Sequence, residues 1–246
     1  LLLVALPAAG LEIGDRIEPF ACTQPDRVSG RVMTFIRTPA SDLQAIEIRA
    51  LSDGRYAFEL ASPVGRTEIR VAGLAETIVD NALCAAGAAI AAGATIEQVA
   101  EGLERHSGVP GRMQPVSLPD DILVIDDTYN ANQSSICAAI DLLKSFDGRK
   151  VLVLGDIAEL GEWAEQSHRD VGAYAAGKVD ALYAVGPHMA HAVSVFGPGA
   201  RHFATQAELI QALTAAEHDK HTTILIKGSR SAVMENVVAA LCGSST

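Results

Sequence analysis

The sequence has few aromatic residues and a deficit of basic ones, and each shortage limits what the protein can be. Phe, Trp and Tyr make up 4% of its 246 residues, so its cores must be built from aliphatic side chains. Its 19 Lys and Arg stand against 30 Asp and Glu, which gives a net charge of -11. Nucleic-acid affinity depends largely on basic side chains that neutralise phosphates, so we expect no nucleic-acid partner.

Long apolar runs and paired cysteines are also lacking. The apolar run that opens the chain, residues 1–6, is far shorter than the ~20 residues that a membrane span needs. Cys22, Cys84, Cys137 and Cys242 form no C-x-x-C pair, which argues against a zinc site and against a disulfide framework. We interpret them as small core residues of a cytoplasmic protein.

The short motifs of several enzyme classes are missing as well. No predicted strand is followed by G-x-G-x-x-G, which argues against a nicotinamide oxidoreductase. The chain also lacks the phosphate-loop pattern G-x-x-x-x-G-K-[ST], the nucleophile elbow G-x-S-x-G and the zinc motif H-E-x-x-H. From its motifs the sequence therefore assigns no catalytic residue and no metal ligand.

What the sequence does contain is a regular alternation of strand and helix patterns from residue 122 onward. Apolar runs predict strands near 122–126, 151–155, 181–185, 201–204 and 223–227. The intervening segments predict helices near 134–146, 163–177, 188–195, 206–217 and 231–242. Ser134 and Thr205 are predicted as N-caps. Five such units predict an α/β fold with a mostly parallel sheet and helices on both faces.

The first half has a different pattern. Alternation of apolar and polar residues predicts an antiparallel meander with strands at 43–48, 56–60 and 67–71. Residues 52–54 supply the first turn of this meander. Residues 1–31 are poorly patterned, and we predict a short helix or loop there.

Two helices follow the meander. One is predicted over 79–92, where Gly93 ends it, and the other over 96–104, where Thr95 is the N-cap. The stretch 107–112 contains Gly and Pro at close spacing and is the predicted boundary between two domains.

Polar side chains follow three of the predicted strands at the point where each strand ends. Residues 126–132 follow the first of these strands, residues 155–156 follow the second, and residues 227–230 follow the third. In open α/β sheets the carboxyl ends of parallel strands lie at one edge, where ligands bind. We therefore predict that the three strand ends converge and bind small anions and amines.

These strand ends resemble the ADP-forming Mur ligases. The resemblance is carried, in the family's order and approximate spacing, by residues 126–135, residues 155–161, His168 and residues 227–235. It extends over about residues 110–242, with a weaker match back to about residue 32. Within the family, the chain is similar to the members that add D-alanyl-D-alanine.

The resemblance implies a domain organisation and a reaction. It implies a Rossmann-like C-terminal domain at 112–246, a partial central domain at 32–111 and a preceding segment at 1–31. The implied reaction is that of the members similar to this chain, which join D-alanyl-D-alanine to UDP-N-acetylmuramoyl-tripeptide through an acyl phosphate made from ATP. The implied cofactors are ATP and Mg²⁺, with the metal ligands in a part of the family sequence that this chain lacks. The complete enzyme is implied to be a monomer.

The resemblance also implies two sets of site residues. The residues implied to contact ATP are Asn81, Arg112, Asp127, Tyr129 and Asn132. The residues implied to contact the incoming dipeptide are Asp156, Glu159, Lys227, Ser229 and Arg230. Ordinary structural roles stay open for all of them, because Asp, Asn and Ser often form turns or cap helices and exposed arginines are common.

The chain lacks the family's phosphate loop, and it begins without Met inside an apolar run. We interpret it as the C-terminal half of such an enzyme and expect no ligase activity from this chain alone. Two alternatives stay open. One is a non-catalytic protein that retains part of the nucleotide and dipeptide surface, and the other is a relative that acts on a different amino acid or dipeptide.

Overall fold

The chain folds into two units with separate cores, comprising residues 1–108 and 109–246. This computed structural model describes residues 2–6, 12–13, 31–35, 41–51, 55–74, 76–106, 108–216 and 221–243. Three sequence predictions lie wholly or largely outside these residues: the burial of Cys22, the turn at 52–54, and most of the segment 1–31.

The described residues of the first unit form two antiparallel sheets. Its strands are β1 (Leu2–Leu6), β2 (Glu12–Ile13), β3 (Arg31–Phe35), β4 (Gln44–Ala50), β5 (Arg55–Ser62) and β6 (Gly65–Ala72). Strands β4, β5 and β6 pair in sequence order, which confirms the predicted meander. The other sheet has the order β2-β1-β3.

The prediction of a short helix or loop at the start of the chain is wrong for the described residues there. Leu2–Leu6 is a strand, and it pairs antiparallel with both β2 and β3. A short apolar run has no period of its own that separates strand from helix. Its conformation is set here by its pairing with a strand about 30 residues away in the sequence, Leu2 opposite Phe35.

The described residues of the first unit also form two helices, α1 (Thr77–Ala91) and α2 (Ile96–Glu104). Thr95 is the N-cap of α2, as predicted, and it forms a reciprocal capping box with Gln98. The core contains buried aliphatic residues of α1 and the aromatic side chain of Phe58 from β5. This agrees with a composition that is poor in aromatic residues.

The second unit is built on one six-stranded sheet with the order β11-β10-β9-β12-β8-β7. Its strands are β7 (Gln114–Leu118), β8 (Ile122–Asp127), β9 (Arg149–Gly155), β10 (Ala181–Val185), β11 (Ala200–Phe203) and β12 (Thr222–Lys227). Its helices are α3 (Gln133–Lys144), α4 (Ala164–Ala175), α5 (Met189–Phe196), α6 (Gln206–Ala215) and α7 (Glu235–Cys242). Within this sheet, β11, β10, β9, β12 and β8 are each parallel to their neighbours in that order. This confirms the predicted α/β class and its mostly parallel sheet.

The antiparallel edge strand β7 was not predicted from the sequence. It contains Pro115, which lacks a backbone N–H, and its side chains are mostly exposed. A proline is tolerated at a sheet edge because the missing donor can face away from the neighbouring strand. The extended conformation of β7 comes from its pairing with β8, in which Pro115 lies opposite Ile125, and the local sequence alone does not indicate it.

The central strands β9 and β12 are almost completely buried. Val151 and Val153 of β9 pack in a cluster with Leu209 of α6 and Val237 of α7. The intervening Leu152 points to the opposite face of the sheet, since alternate side chains of a strand do so. Burial on both faces explains why these strands are continuous apolar runs.

Within the described residues, no helix is both long and apolar enough to cross a membrane.

The N-cap of α3 is Asn132, so the prediction of Ser134 is wrong. Asn132 Oδ1 accepts a hydrogen bond from the backbone N–H of Ser135 at 2.8 Å, and Ser135 Oγ accepts from the Asn132 N–H at 3.1 Å. Ser134 lies inside the first turn and donates to the same Oδ1. Thr205 is the N-cap of α6, as predicted, and accepts from the N–H of Glu208.

Replacing Asn132 by alanine is expected to lower the free energy of unfolding by about 1 kcal/mol, the usual cost of losing an N-cap side chain. The measurement is urea unfolding of the chain, followed by circular dichroism. Ser134→Ala is the matched control, because it removes a hydroxyl that donates to Asn132 Oδ1 but leaves that oxygen in place to cap the helix. An equal loss in both variants would contradict this assignment of the cap.

Candidate functional site

The three polar strand ends lie together at one edge of the sheet of the second unit. Strand β12 pairs with β8 on one side and with β9 on the other, so that Lys227 lies opposite both Asp127 and Leu154. Beyond these pairs, Ser229 donates from its backbone N–H to the carbonyl of Asp156 at 3.1 Å. The predicted convergence of the three strand ends is therefore observed.

Lys227 and Asp127 form a buried ion pair at this edge. Lys227 Nζ lies 2.5 Å from Asp127 Oδ2, and the two residues are 3% and 8% exposed. The ammonium also donates to the carbonyl of Asn130 at 2.9 Å, and Asp127 Oδ1 accepts from the N–H of Met113 at 3.3 Å. Burial raises the pKa of Asp127, while the charge of Lys227 opposes that change. The pair joins the end of β12 to the loop after β8 and to the segment before β7.

The segment before β7 places Arg112 on the outer side of this edge. The Arg112 guanidinium lies over the ring of Tyr129, with Cζ 4.2 Å from the ring centroid, and Tyr129 is 46% exposed. The N–H of Tyr129 donates to the carbonyl of Gly111 at 2.9 Å. Gly111 has φ +74°, and a Cβ there would lie 3.0 Å from that same nitrogen. Glycine thus allows the close approach that stacks an exposed cation on an exposed aromatic ring.

Other polar residues at the end of β8 and in the loop after it form local turns. Asp126 Oδ1 accepts from the N–H and the hydroxyl of Thr128, at 3.2 and 2.7 Å. Asn130 Oδ1 accepts from the N–H of Ala131 at 2.9 Å, and Asn132 caps α3. The sequence left open an ordinary structural role for Asn132, and the structure shows one: Asn132 caps a helix. These turns hold the loop in a defined shape and leave Arg112 and Tyr129 facing solvent.

Asp156 is the most connected residue of the second strand end. Its carbonyl accepts from the Ser229 hydroxyl at 2.6 Å, in addition to the N–H of that serine. Its carboxylate accepts from the N–H groups of His188 and Met189, at 3.3 and 2.9 Å, at the start of α5. Gly186 has φ +114°, and a Cβ there would lie 2.4 Å from Asp156 Oδ1, so the carboxylate occupies the space that a side chain would need. A carboxylate is favoured at this position because a helix N-terminus carries partial positive charge.

The remaining predicted site residues are exposed. Glu159 follows Asp156 in the same loop, with φ +63°. Arg230 follows Ser229 and forms an ion pair with Glu235, with its Nη2 at 2.8 Å from Oε1. Asn81 lies on the exposed side of α1 in the first unit.

The geometry separates the ten predicted site residues into two groups. Lys227, Asp127 and Ser229 are buried, and their polar atoms are bonded to protein atoms. The others are exposed or partly exposed to solvent. Solvent exposure was not evident from the sequence because all ten are polar residues next to strand or helix ends.

His168 is a residue of this region to which the sequence assigned no role. It is one of the residues that carry the family resemblance, and it is fully buried in α4. Its Nε2 accepts from the N–H of Ile157, directly after Asp156. No local signal reveals this contact, since the two residues belong to different elements.

A divalent metal requires several donors at one point. Within the described residues, no group of three or more His, Cys, Asp or Glu side chains is arranged to hold a metal ion.

The comparisons with known proteins agree with the geometry. The sequence model for the family described as "Mur ligase, glutamate ligase domain" matches residues 111–230. The UDP-N-acetylmuramoyl-tripeptide–D-alanyl-D-alanine ligase of Escherichia coli (strain K12) is 40% identical over 204 residues, which are 82% of this chain and 44% of that protein. This chain thus spans less than half the length of that relative.

Solved structures show the same relationship. A crystal structure of MurF from Acinetobacter baumannii has a TM-score of 0.76 and 34% identity, over 86% of this chain and 47% of that one. MurF from Thermotoga maritima, solved in complex with ADP, shares the fold with a TM-score of 0.69 at 21% identity, over 86% of this chain and 48% of that one. The chain belongs to the Mur ligase family, and residues 111–230 match that family's glutamate ligase domain.

Proposed function

We propose that this chain carries part of an ATP-dependent amide-bond ligase of peptidoglycan precursor synthesis. The proposed reaction joins D-alanyl-D-alanine to UDP-N-acetylmuramoyl-tripeptide. The observation that carries this proposal is the 40% identity to a ligase of that name, over 82% of the chain. The convergence of three polar strand ends at one edge of the sheet supports it.

The proposed chemistry has two steps. A carboxylate oxygen of the tripeptide attacks the γ-phosphorus of ATP and releases ADP, which leaves an acyl phosphate. The amine of D-alanyl-D-alanine then attacks the acyl carbon, expels inorganic phosphate, loses a proton and forms the amide. Both steps need cationic or N–H donors around phosphate oxygens, because negative charge is concentrated there.

We assign the nucleotide-facing role to Arg112 and Tyr129. A guanidinium presents several N–H donors in one plane and suits phosphate oxygens, and its stacking on the Tyr129 ring limits the orientations that it can adopt. Asp127 and Lys227 are buried and bond to each other, and Asp127 also accepts from the N–H of Met113, the residue after Arg112. Their proposed role is to hold the surrounding loops. Asn81 and Asn132 stay proposed nucleotide contacts. Mg²⁺ is a proposed cofactor, with its ligands expected in the part of the family sequence that this chain lacks.

We assign the dipeptide-facing role to the loop after β9 and the segment after β12. The carboxylates of Asp156 and Glu159 would attract the ammonium group of the dipeptide, and Arg230 would attract its carboxylate. Ser229 donates its hydroxyl to the Asp156 carbonyl, so its proposed contribution is to hold that loop against β12. Lys227, at the end of β12, is proposed to hold the same segment in place through its bonds to Asp127 and Asn130.

Arg112→Ala is expected to weaken ATP binding to the chain by about tenfold or more, since a charge-assisted hydrogen bond to phosphate is lost. The measurement is calorimetric titration with ATP in magnesium-containing buffer. Arg201→Ala is the matched control, because Arg201 also lies over aromatic rings, with Cζ 5.0 Å from the Phe203 centroid. Equal ATP affinity in wild type and Arg112→Ala would contradict the assignment.

The dipeptide site is tested with the only tryptophan of the chain. The side chain of Trp163 is exposed (66%), and its backbone N–H donates to the carbonyl of Leu160 in the loop after β9. Titration with D-alanyl-D-alanine is expected to change its fluorescence in a saturable manner, whereas L-alanyl-L-alanine should not. No saturable change with either dipeptide, together with no heat in calorimetry, would contradict the proposed dipeptide site.

A further inference from the structure

The hydrogen bonds of His168 fix its protonation state. Its ring lies fully buried, with Nδ1 2.6 Å from the carbonyl oxygen of Ala164 and Nε2 3.1 Å from the backbone nitrogen of Ile157. A carbonyl can only accept and a backbone N–H can only donate. Nδ1 must therefore carry the proton, and Nε2 must be unprotonated. The ring is neutral in this arrangement.

The loop that His168 contacts is held at three points around one residue. The Asp156 carbonyl accepts from Ser229 at the end of β12, and its carboxylate accepts from two N–H groups at the start of α5. The next N–H, that of Ile157, donates to His168 in α4. Three separate elements thus fix the backbone and the side chain of Asp156.

We propose that His168 is a positioning residue for Asp156: its neutral ring accepts the Ile157 N–H and so holds the loop after β9 in the conformation that receives the incoming amine. The part of this inference that concerns the amine rests on the proposed function. The part that concerns the loop rests on the hydrogen bonds alone. His168 does not reach solvent, so it acts through the loop and not by direct contact with a ligand.

Protonation would reverse the role of His168. A proton on Nε2 would face the Ile157 N–H, and two donors cannot share a hydrogen bond. The protonated ring would be drawn to Asp156, whose Oδ1 lies 3.9 Å from Nε2. His188 at the start of α5 and His191 within it also face this region, and Glu165 of α4 lies 3.8 Å from His191.

Burial lowers the pKa of His168 below its usual 6.5, with the hydrogen bond to Ala164 and the charge of Asp156 opposing that change. The folded pKa therefore lies below the unfolded one. The contribution of the neutral ring to stability is present above the unfolded value and is lost as the pH falls towards the folded value.

The test is nuclear magnetic resonance of the ¹⁵N-labelled full chain. In the wild type we expect an unprotonated Nε2 at pH 7, and we expect the Ile157 amide to shift on acidification with the midpoint of His168 itself. In His168→Gln, Oε1 can accept the Ile157 N–H but does not titrate, so the Ile157 amide should stay protected and the acid transition should disappear. In His168→Leu the acceptor is lost, so hydrogen exchange at Ile157 should accelerate by about tenfold.

His191→Gln is the matched control, because it removes a neighbouring histidine that has no bond to the loop. It should leave the transition at Ile157 in place. An acid transition that persists in His168→Gln would overturn the proposal, and so would unchanged Ile157 exchange in His168→Leu. Should His168→Leu fail to fold, the wild-type titration and His168→Gln still decide the question.

The same samples separate this inference from the proposed function. D-alanyl-D-alanine is added to wild type and to His168→Gln above and below the transition, and Trp163 fluorescence is read. Binding that weakens with acidification in the wild type alone supports a role for His168 at the amine site. Absence of dipeptide binding at every pH contradicts the dipeptide site and the amine part of the inference, while the Ile157 results still decide whether His168 positions the loop.

Discussion

Lys227→Met is expected to lower the free energy of unfolding of the second unit by about 3–5 kcal/mol. The reason is that Asp127 would be left buried with a charge that no cation compensates. The variant would also lose the hydrogen bond that the Lys227 ammonium donates to the Asn130 carbonyl, and this bond fixes the loop after β8. The measurement is native-state hydrogen exchange of the amides of Ile224 and Leu225, which lie in the same buried strand.

Two further variants distinguish this effect from a simple loss of charge. Lys178→Met is the matched control, since Lys178 forms an ion pair of 2.8 Å with Asp141 at the surface, with side chains 25% and 53% exposed. Exposed ion pairs contribute little, so its effect should be far smaller. The double variant Lys227→Met/Asp127→Leu should recover much of the loss, because no buried charge remains. A loss in Lys227→Met no greater than in Lys178→Met would show that the buried pair has no special cost.

The chain alone is expected to show no ligase turnover. Its sequence has no G-x-x-x-x-G-K-[ST] pattern, so a main group of donors to the phosphates of ATP is lacking. Loss of one such donor typically costs ~2.7–4 kcal/mol of transition-state stabilisation, and a phosphate loop supplies several. The measurement is release of ADP in the presence of ATP, magnesium, UDP-N-acetylmuramoyl-tripeptide and D-alanyl-D-alanine.

The control for this assay is the Escherichia coli relative, which is 40% identical to this chain over the matched residues. ADP release by the chain that depends on both substrates would disprove the expectation. ATP binding without turnover would agree with it, and would also agree with the alternative of a non-catalytic nucleotide-binding protein. Binding of neither ATP nor the dipeptide would contradict both site assignments.

Much of the fold of the second unit could be predicted from the sequence. The apolar runs of β8, β9, β10 and β12 are buried on both faces, and such runs are recognisable without a partner. The strand over 181–185 was predicted to the residue, and the others to within two residues. Their polar ends had to meet, since parallel strands joined by helices bring their carboxyl ends to one edge.

The strands without a strong period were not predictable. Strand β7 contains Pro115 and is mostly exposed, and β1 is a short apolar run. Each becomes a strand because another segment offers N–H and C=O groups to pair with: β3 for β1, and the next strand along the chain, β8, for β7. Strand formation of this kind depends on two segments together, so neither segment alone indicates it.

By itself, the sequence determined the α/β class, the order of the strands and helices from β8 to α7, and the three strand ends that carry polar side chains. Only the tertiary structure decided what those side chains do. Lys227 pairs with the carboxylate of Asp127, 100 residues earlier in the chain. His168 accepts from the N–H of Ile157, which lies in the loop after β9. The physical reason is that periodicity records whether a side chain is buried. Charge pairing and protonation state depend on which atoms of distant segments lie within about 3 Å.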